Sequence, residues 1–93
     1  MIASFKHKGL KNLFLKGSAK GVQPKHVTKL RLMLATLNQA SKPSDMNAPA
    51  WRLHPLSGDR DGEWSVAVDE NYRLTFAFND EGDAVVVDYG DYH

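Results

Sequence analysis

In the stretch "WSVAVDENYRLTFAF" (residues 64–78), large apolar residues recur at every second position on either side of a polar tripeptide. Trp64, Val66 and Val68 alternate with small or polar residues up to the tripeptide "DEN", and the alternation resumes over residues 72–78. A period of two is typical of a strand with one buried face. Two such runs joined by a short polar connection predict a β-hairpin.

The sequence on either side of this hairpin extends the sheet. Upstream, "AWRLHPL" (residues 50–56) also alternates, with Trp51 and Leu53 on one side and Arg52 and His54 on the other. Downstream, "AVVVDY" follows the turn "NDEGD" and predicts a further strand, whose three valines are expected in its buried middle. The first five residues, "MIASF", are a candidate edge strand.

The first half of the chain has helical periodicity instead. Leu10, Leu13 and Phe14 are spaced as in a helix that ends near Gly17. In "QPKHVTKLRLMLATLNQA", Pro24 suits a first helical turn, and an apolar stripe follows that consists of Val27, Leu30, Leu34 and Leu37. We predict an α+β fold, a single domain over residues 1–93, in which two N-terminal helices pack on one face of a small, mostly antiparallel sheet.

Composition and charge limit the function classes. The chain has no cysteine, which fits a reducing cytosol and excludes disulfides and thiolate metal sites. It shows no signal-peptide or membrane-spanning stretch, so we expect a cytoplasmic protein with no membrane partner. Residues 1–44 carry nine basic residues and no acid, whereas residues 45–93 carry three arginines against eleven acids. This asymmetry suits a polyanion such as nucleic acid, although solvated helix faces explain it equally well.

The sheet face away from the helices is the expected location of the chemistry. Alternation predicts that this face carries Arg52, His54, Ser65, Arg73 and Thr75, which together suit an anion. Further candidates are Arg60, Asp91, Tyr92 and His93, with Gly90 permitting a bend that brings the tail to this face. Each residue alone has a simpler explanation, such as a surface ion pair or a frayed terminus.

Other chemistries fit the sequence poorly. The four histidines show no metal-ligand spacing, and no phosphate loop, dinucleotide fingerprint or nucleophile elbow is present, so no metal or cofactor is predicted. Histidine, tyrosine and arginine together suit the cleavage of RNA, which supplies its own nucleophile in the 2′-hydroxyl. The protein then needs only a base, a cation for the phosphorus-centred charge and an acid for the leaving oxygen.

Several segments closely resemble the HigB toxins, a branch of the RelE-like toxin superfamily, in register over nearly the whole chain. They are "MIASFKHKGLKNLF", "RLHPLSGDRDGEWSVAV", "NYRLTFAF" and the terminal "DYGDYH". The resemblance implies a ribosome-dependent mRNA endonuclease that cuts codons in the A site of the 70S ribosome. It also implies a HigA-like helix-turn-helix antitoxin, and operator DNA binding only through the complex with it.

The resemblance assigns roles to individual residues. It implies proton transfer for His54 and His93, positioning or proton transfer for Tyr92, orientation for Asp91 and phosphate binding for Arg73. Ser57 departs from the family, which usually has a lysine thought to stabilise the transition-state charge. Two outcomes stay open: Arg52, Arg60 or a lysine elsewhere supplies the charge, or the enzyme is slow. The expected RNA contacts are Lys8, Lys11, Lys25, Lys29, Arg52 and Arg60.

Two alternatives to an RNA-cleaving toxin stay open at this point. One is a weakly catalytic ribosome- or RNA-binding module that inhibits translation by occupancy, and Ser57 is the feature that favours it. The other is a purely structural interaction domain, which the terminal "DYH" and the charge asymmetry disfavour.

Overall fold

The predicted hairpin is present in the computed structural model, which describes residues 1–92. Strand β2 spans Trp64–Ala67 and strand β3 spans Tyr72–Phe78, and the two pair antiparallel. Trp64 lies opposite Phe76 and Val66 opposite Leu74, so the apolar residues of both strands share one face. The alternation therefore predicted the pairing of the two strands and the face on which their apolar residues lie.

Two further strands complete a four-stranded antiparallel sheet in the order β1-β2-β3-β4. Strand β1 is the short His54–Pro55, and strand β4 is Ala84–Asp91. The predicted edge strand at the N-terminus consists of two parallel bridges, Ile2 to Ala84 and Phe5 to Val87. The prediction of a small, mostly antiparallel sheet is confirmed.

The two helices begin and end close to where periodicity placed them. Helix α1 spans Lys8–Lys16, and Gly17 ends it in the left-handed conformation (φ 72°) that glycine adopts without steric cost. A 3-10 turn at Pro24–His26 leads into helix α2, Val27–Gln39. Two further 3-10 turns lie at Pro43–Met46 and Gly58–Arg60. Over residues 1–92, neither helix is long and apolar enough to cross a membrane.

The core lies between the helices and one face of the sheet. Leu30, Leu34 and Leu37 of α2 belong to the same buried cluster as Val66 and Phe76 of the hairpin, and partly buried Trp64 packs against that cluster. The predicted packing of the apolar stripe on this face is thus confirmed, and the opposite face of the sheet is left for polar side chains.

Strand β1 is shorter than its sequence suggested, because Arg52 has a left-handed backbone (φ 52°). The alternation of Trp51, Arg52, Leu53 and His54 predicted one continuous strand with Arg52 and His54 on the same side. The expectation that these two side chains share a face is wrong, since a left-handed residue interrupts the pleat. The Trp51 carbonyl oxygen still accepts a hydrogen bond from the backbone of Ala67 (2.6 Å).

Strand β4 contains a bulge within its three valines. The register of β3 and β4 is irregular between Thr75 and Ala77, and Val86 has φ 49° and is 40% exposed. The expectation that all three valines are buried is therefore wrong: Val87 is buried, Val85 is half-buried and Val86 is exposed. An inserted residue shifts the alternation by one, so that Ala84 and Val87 are both buried even though they are three positions apart.

Candidate active site

A depression of about 410 Å³ lies on the sheet face away from the helices. Strands β1, β2 and β3, the loop after β1 and the end of the chain all contribute to it. Its lining residues are His54, Leu56, Ser57, Arg60, Ser65, Arg73, Thr75 and Tyr92. The depression therefore brings together an imidazole, a phenol and two guanidinium groups.

The floor of this depression is formed by two hydroxyl groups. Ser65 and Thr75 lie opposite each other in the β2–β3 register. Alternation correctly placed them on this face, yet they are 0% and 1% exposed, because the longer side chains above cover them. A buried hydroxyl needs hydrogen-bond partners, so these two residues anchor the charged groups over them, a role that the sequence did not reveal.

Ser65 connects His54 to Arg73. Arg73 Nη1 donates to Ser65 Oγ at 3.3 Å, and Ser65 Oγ lies 3.4 Å from His54 Nε2. The other ring nitrogen, His54 Nδ1, donates to the carbonyl oxygen of Arg52 at 3.2 Å. A carbonyl only accepts, so the proton is on Nδ1, and Nε2 of the neutral ring holds the lone pair, which faces the Ser65 hydroxyl on the floor of the depression.

Arg60 is held in place by an acid and a hydroxyl. Its Nη2 donates to Glu63 Oε1 at 2.7 Å and to Thr75 Oγ1 at 3.1 Å. The hydrogen bond to Glu63, and then the one to Tyr92, raise the pKa of Arg60. The acidic partner of Arg60 is thus Glu63, three residues further along the chain.

Tyr92 reaches the depression from the end of β4. Its backbone N–H donates to the Asn71 carbonyl oxygen at 2.9 Å, and the Arg60 guanidinium lies 5.1 Å from its ring centroid. Gly90 is not the expected bend, since it lies within β4 opposite Arg73. A Cβ at Gly90 would lie 3.5 Å from the Tyr92 ring, an ordinary van der Waals distance, so the ring position does not require a glycine here.

Other predicted site residues lie elsewhere. Asp91 pairs with Tyr72, and opposed residues share a face, so Asp91 belongs to the helix-bearing face and does not line the depression. Its orienting role stays a prediction. Arg52 lies in a separate depression together with Lys29. His93 lies outside the described residues.

The basic residues of the first half of the chain are spread over the surface. Lys8 and Lys11 line a depression along α1. Lys25 Nζ lies 4.0 Å from an Asp69 carboxylate oxygen, which partly compensates its charge. A groove between the helices is lined by Leu13, Phe14 and Arg31, among others, and offers no proton-transfer group. The depression on the sheet face thus combines guanidinium groups that can bind an anion with imidazole and phenol groups that can transfer protons.

Comparison with known proteins matches nearly the whole chain to one family of toxins. Residues 3–93 match the family model described as the RelE-like toxin of the type II toxin-antitoxin system HigB. The chain is 46% identical over 93 residues to Endoribonuclease HigB of Proteus vulgaris, covering 100% of both chains. Its fold matches the YoeB/ParE toxin from Agrobacterium tumefaciens with a TM-score of 0.61 at 14% identity, covering 100% of this chain and 99% of that one. The chain therefore belongs to the HigB-like family of RelE-like toxins, the toxin component of a type II toxin-antitoxin system with a cognate antitoxin as its partner.

Proposed function

We propose that this toxin is an endoribonuclease that cuts mRNA codons in the A site of the 70S ribosome. The observation that carries the proposal is the convergence of His54, Arg73 and Tyr92 on one depression of the sheet. Family membership supports it, and so does the name of the Proteus vulgaris relative. Within residues 1–92, no three His, Asp or Glu side chains are grouped to hold a metal ion, and the proposed steps use side chains alone.

The geometry fits a transfer of the phosphodiester to the neighbouring 2′-oxygen. His54 Nε2 accepts the proton of the 2′-hydroxyl, and the 2′-oxygen bonds to phosphorus. Arg73 stabilises the negative charge on the phosphoryl oxygens. The bond from phosphorus to the 5′-oxygen then breaks, and Tyr92 or His93 supplies the proton that the leaving oxygen takes up. The products are a 2′,3′-cyclic phosphate and a free 5′-hydroxyl.

The proposal includes the partners that deliver the substrate. Lys8 and Lys11 on α1 are the proposed contacts to ribosomal RNA, together with Lys25 and Lys29 near the start of α2. Phosphate contacts of this kind weaken steeply as salt rises, through counterion release. We further propose a cytoplasmic toxin, a HigA-like helix-turn-helix antitoxin, and operator binding only by the complex of the two.

Ser57 favours a second candidate, a ribosome-binding blocker with little catalytic activity. It lines the depression with a hydroxyl where related toxins usually carry a lysine. Arg60 is a poor substitute because Glu63 already compensates its charge. Among residues 1–92, no acidic side chain forms an ion pair with Arg73, so this arginine is the available cation.

Ser57→Lys is expected to raise the single-turnover cleavage rate on ribosomes about tenfold or more, because it adds a charge donor beside the phosphate. Gln39→Lys is the matched control, since it adds the same charge at the exposed end of α2. An unchanged rate in a stably folded Ser57→Lys protein would mean that Arg73 and Arg60 already supply the necessary charge.

Primer extension on mRNA in translating ribosomes separates the two candidate functions. New 5′ ends inside codons support the endoribonuclease. Ribosomes that stall without a new 5′ end support the blocker and contradict the main proposal.

A further inference from the structure

His26 is a buried histidine outside the depression, and both of its ring nitrogens are hydrogen-bonded. The residue is 3% exposed and lies in the turn before α2. Its Nε2 lies 2.6 Å from Asp69 Oδ2, and its Nδ1 lies 2.5 Å from Tyr89 Oη. Because a carboxylate only accepts, Nε2 donates to Asp69. Tyr89 Oη also accepts the Gln23 N–H (3.3 Å), so the phenol joins Nδ1 of His26 to the backbone before α2.

Asp69 uses its other carboxylate oxygen to fix the β2–β3 turn. Oδ1 accepts the backbone N–H groups of Asn71 at 2.8 Å and Tyr72 at 2.7 Å. The hydrogen bond from His26, followed by the two backbone bonds, holds the pKa of this carboxyl well below its usual range. The turn is therefore tied to the start of α2 through a charged acceptor, the stronger kind of hydrogen bond.

The same turn holds the end of the chain at the depression. The Asn71 carbonyl oxygen accepts the Tyr92 N–H at 2.9 Å, one residue past the last β3–β4 pair of Tyr72 with Asp91. A continuous series of hydrogen bonds thus runs from His26 through Asp69 and the turn to the residue whose ring lines the depression. None of these bonds touches the depression before Tyr92.

We propose that His26 is a positioning residue for Tyr92, acting through Asp69 and the 69–71 turn. The expected effect on the cleavage rate rests on the proposed function. The coupling between His26 and the Tyr92 backbone is independent of that function. A ring displaced by about 1 Å lowers the rate about 10²-fold. The effect falls on kcat rather than KM if Tyr92 acts on the reacting atoms.

The test compares His26→Leu with His26→Gln. The leucine fills a similar volume without a donor, whereas the glutamine amide can still donate to Asp69. Amide hydrogen exchange by NMR, without RNA, is expected to be about 10- to 100-fold faster at Tyr92 in the leucine variant and near wild type in the glutamine variant. The slowest amides of β2 and β3 report global opening. If they accelerate as much as Tyr92, His26 only stabilises the core and the proposal fails.

Asp69→Asn is the second variant in case His26→Leu does not fold, because it keeps the side-chain size and replaces the acceptor that faces Nε2. It is expected to accelerate Tyr92 exchange in the same way and to lower kcat about tenfold or more, with KM within about twofold. Wild-type exchange at Tyr92 in this variant overturns the coupling. If the wild-type protein cuts no RNA, the proposed function is wrong. Amide exchange at Tyr92 still tests whether His26 is coupled to the Tyr92 backbone.

Discussion

His54→Ala is expected to lower the single-turnover cleavage rate on ribosomes about 10²–10⁴-fold, the range typical of a positioned proton-transfer group. Its Nδ1 donates to the Arg52 carbonyl oxygen, which leaves Nε2 with the lone pair that the proposed mechanism uses to accept the proton. The side chain is exposed, so its removal should leave the melting temperature nearly unchanged. The rate loss should therefore come from chemistry and not from unfolding.

Two further variants sharpen this test. Asp59→Asn changes an exposed residue of the neighbouring loop that does not line the depression, and it should cut at the wild-type rate. His54→Gln keeps a polar group of similar reach but cannot take up the proton, so it should be nearly as slow as His54→Ala. Wild-type cleavage by His54→Ala would remove the imidazole from the proposed mechanism.

Loss of His93 is expected to have an effect of similar size, about 10²–10⁴-fold on cleavage. This prediction rests on the sequence and on the family resemblance. In the sequence, His93 directly follows Tyr92, which lines the depression. Histidine has an unperturbed pKa of about 6.5, so both of its protonation states are accessible near neutral pH. A chain that ends at Tyr92 should melt like the full chain, because within residues 1–92 the buried core cluster reaches no further than Tyr89.

His93→Gln is the matched variant for this truncation. Removing the last residue also moves the terminal carboxylate to Tyr92, next to Arg60, whereas the substitution keeps the chain length. If both variants lose cleavage, the imidazole is required. If only the truncation loses cleavage, the new carboxylate is responsible, and equal rates for all three proteins mean that the tail is a frayed end.

Local patterns predicted the hairpin, the two helices and the polar face of the sheet. Alternation over residues 64–78 follows from the alternating side-chain directions of a strand. The stripe from Leu30 to Leu37 marks the face of α2 that packs on the sheet. Alternation also placed Ser65 and Arg73 on one face. These features follow from neighbouring residues alone.

Features that depend on one backbone angle or on distant residues were not predictable. The left-handed backbone at Arg52 and the bulge at Val86 each change the face on which the neighbouring side chains lie. The sequence of apolar and polar residues around them shows no sign of either feature. His26 meets Asp69 and Tyr89, which lie 43 and 63 residues further along the chain. Nothing in the sequence around His26 distinguishes it from a surface residue of a basic helix.

Cleavage of an mRNA whose A-site codon lacks the 2′-hydroxyl groups tests whether the 2′-oxygen is the nucleophile. In the proposed mechanism the protein supplies no nucleophile, so the 2′-oxygen of the RNA must attack the phosphorus. Primer extension on ribosomes programmed with the deoxy codon should show no cut, while the all-ribose message is cut within the same codon. Equal cutting of the two messages would contradict the proposed mechanism.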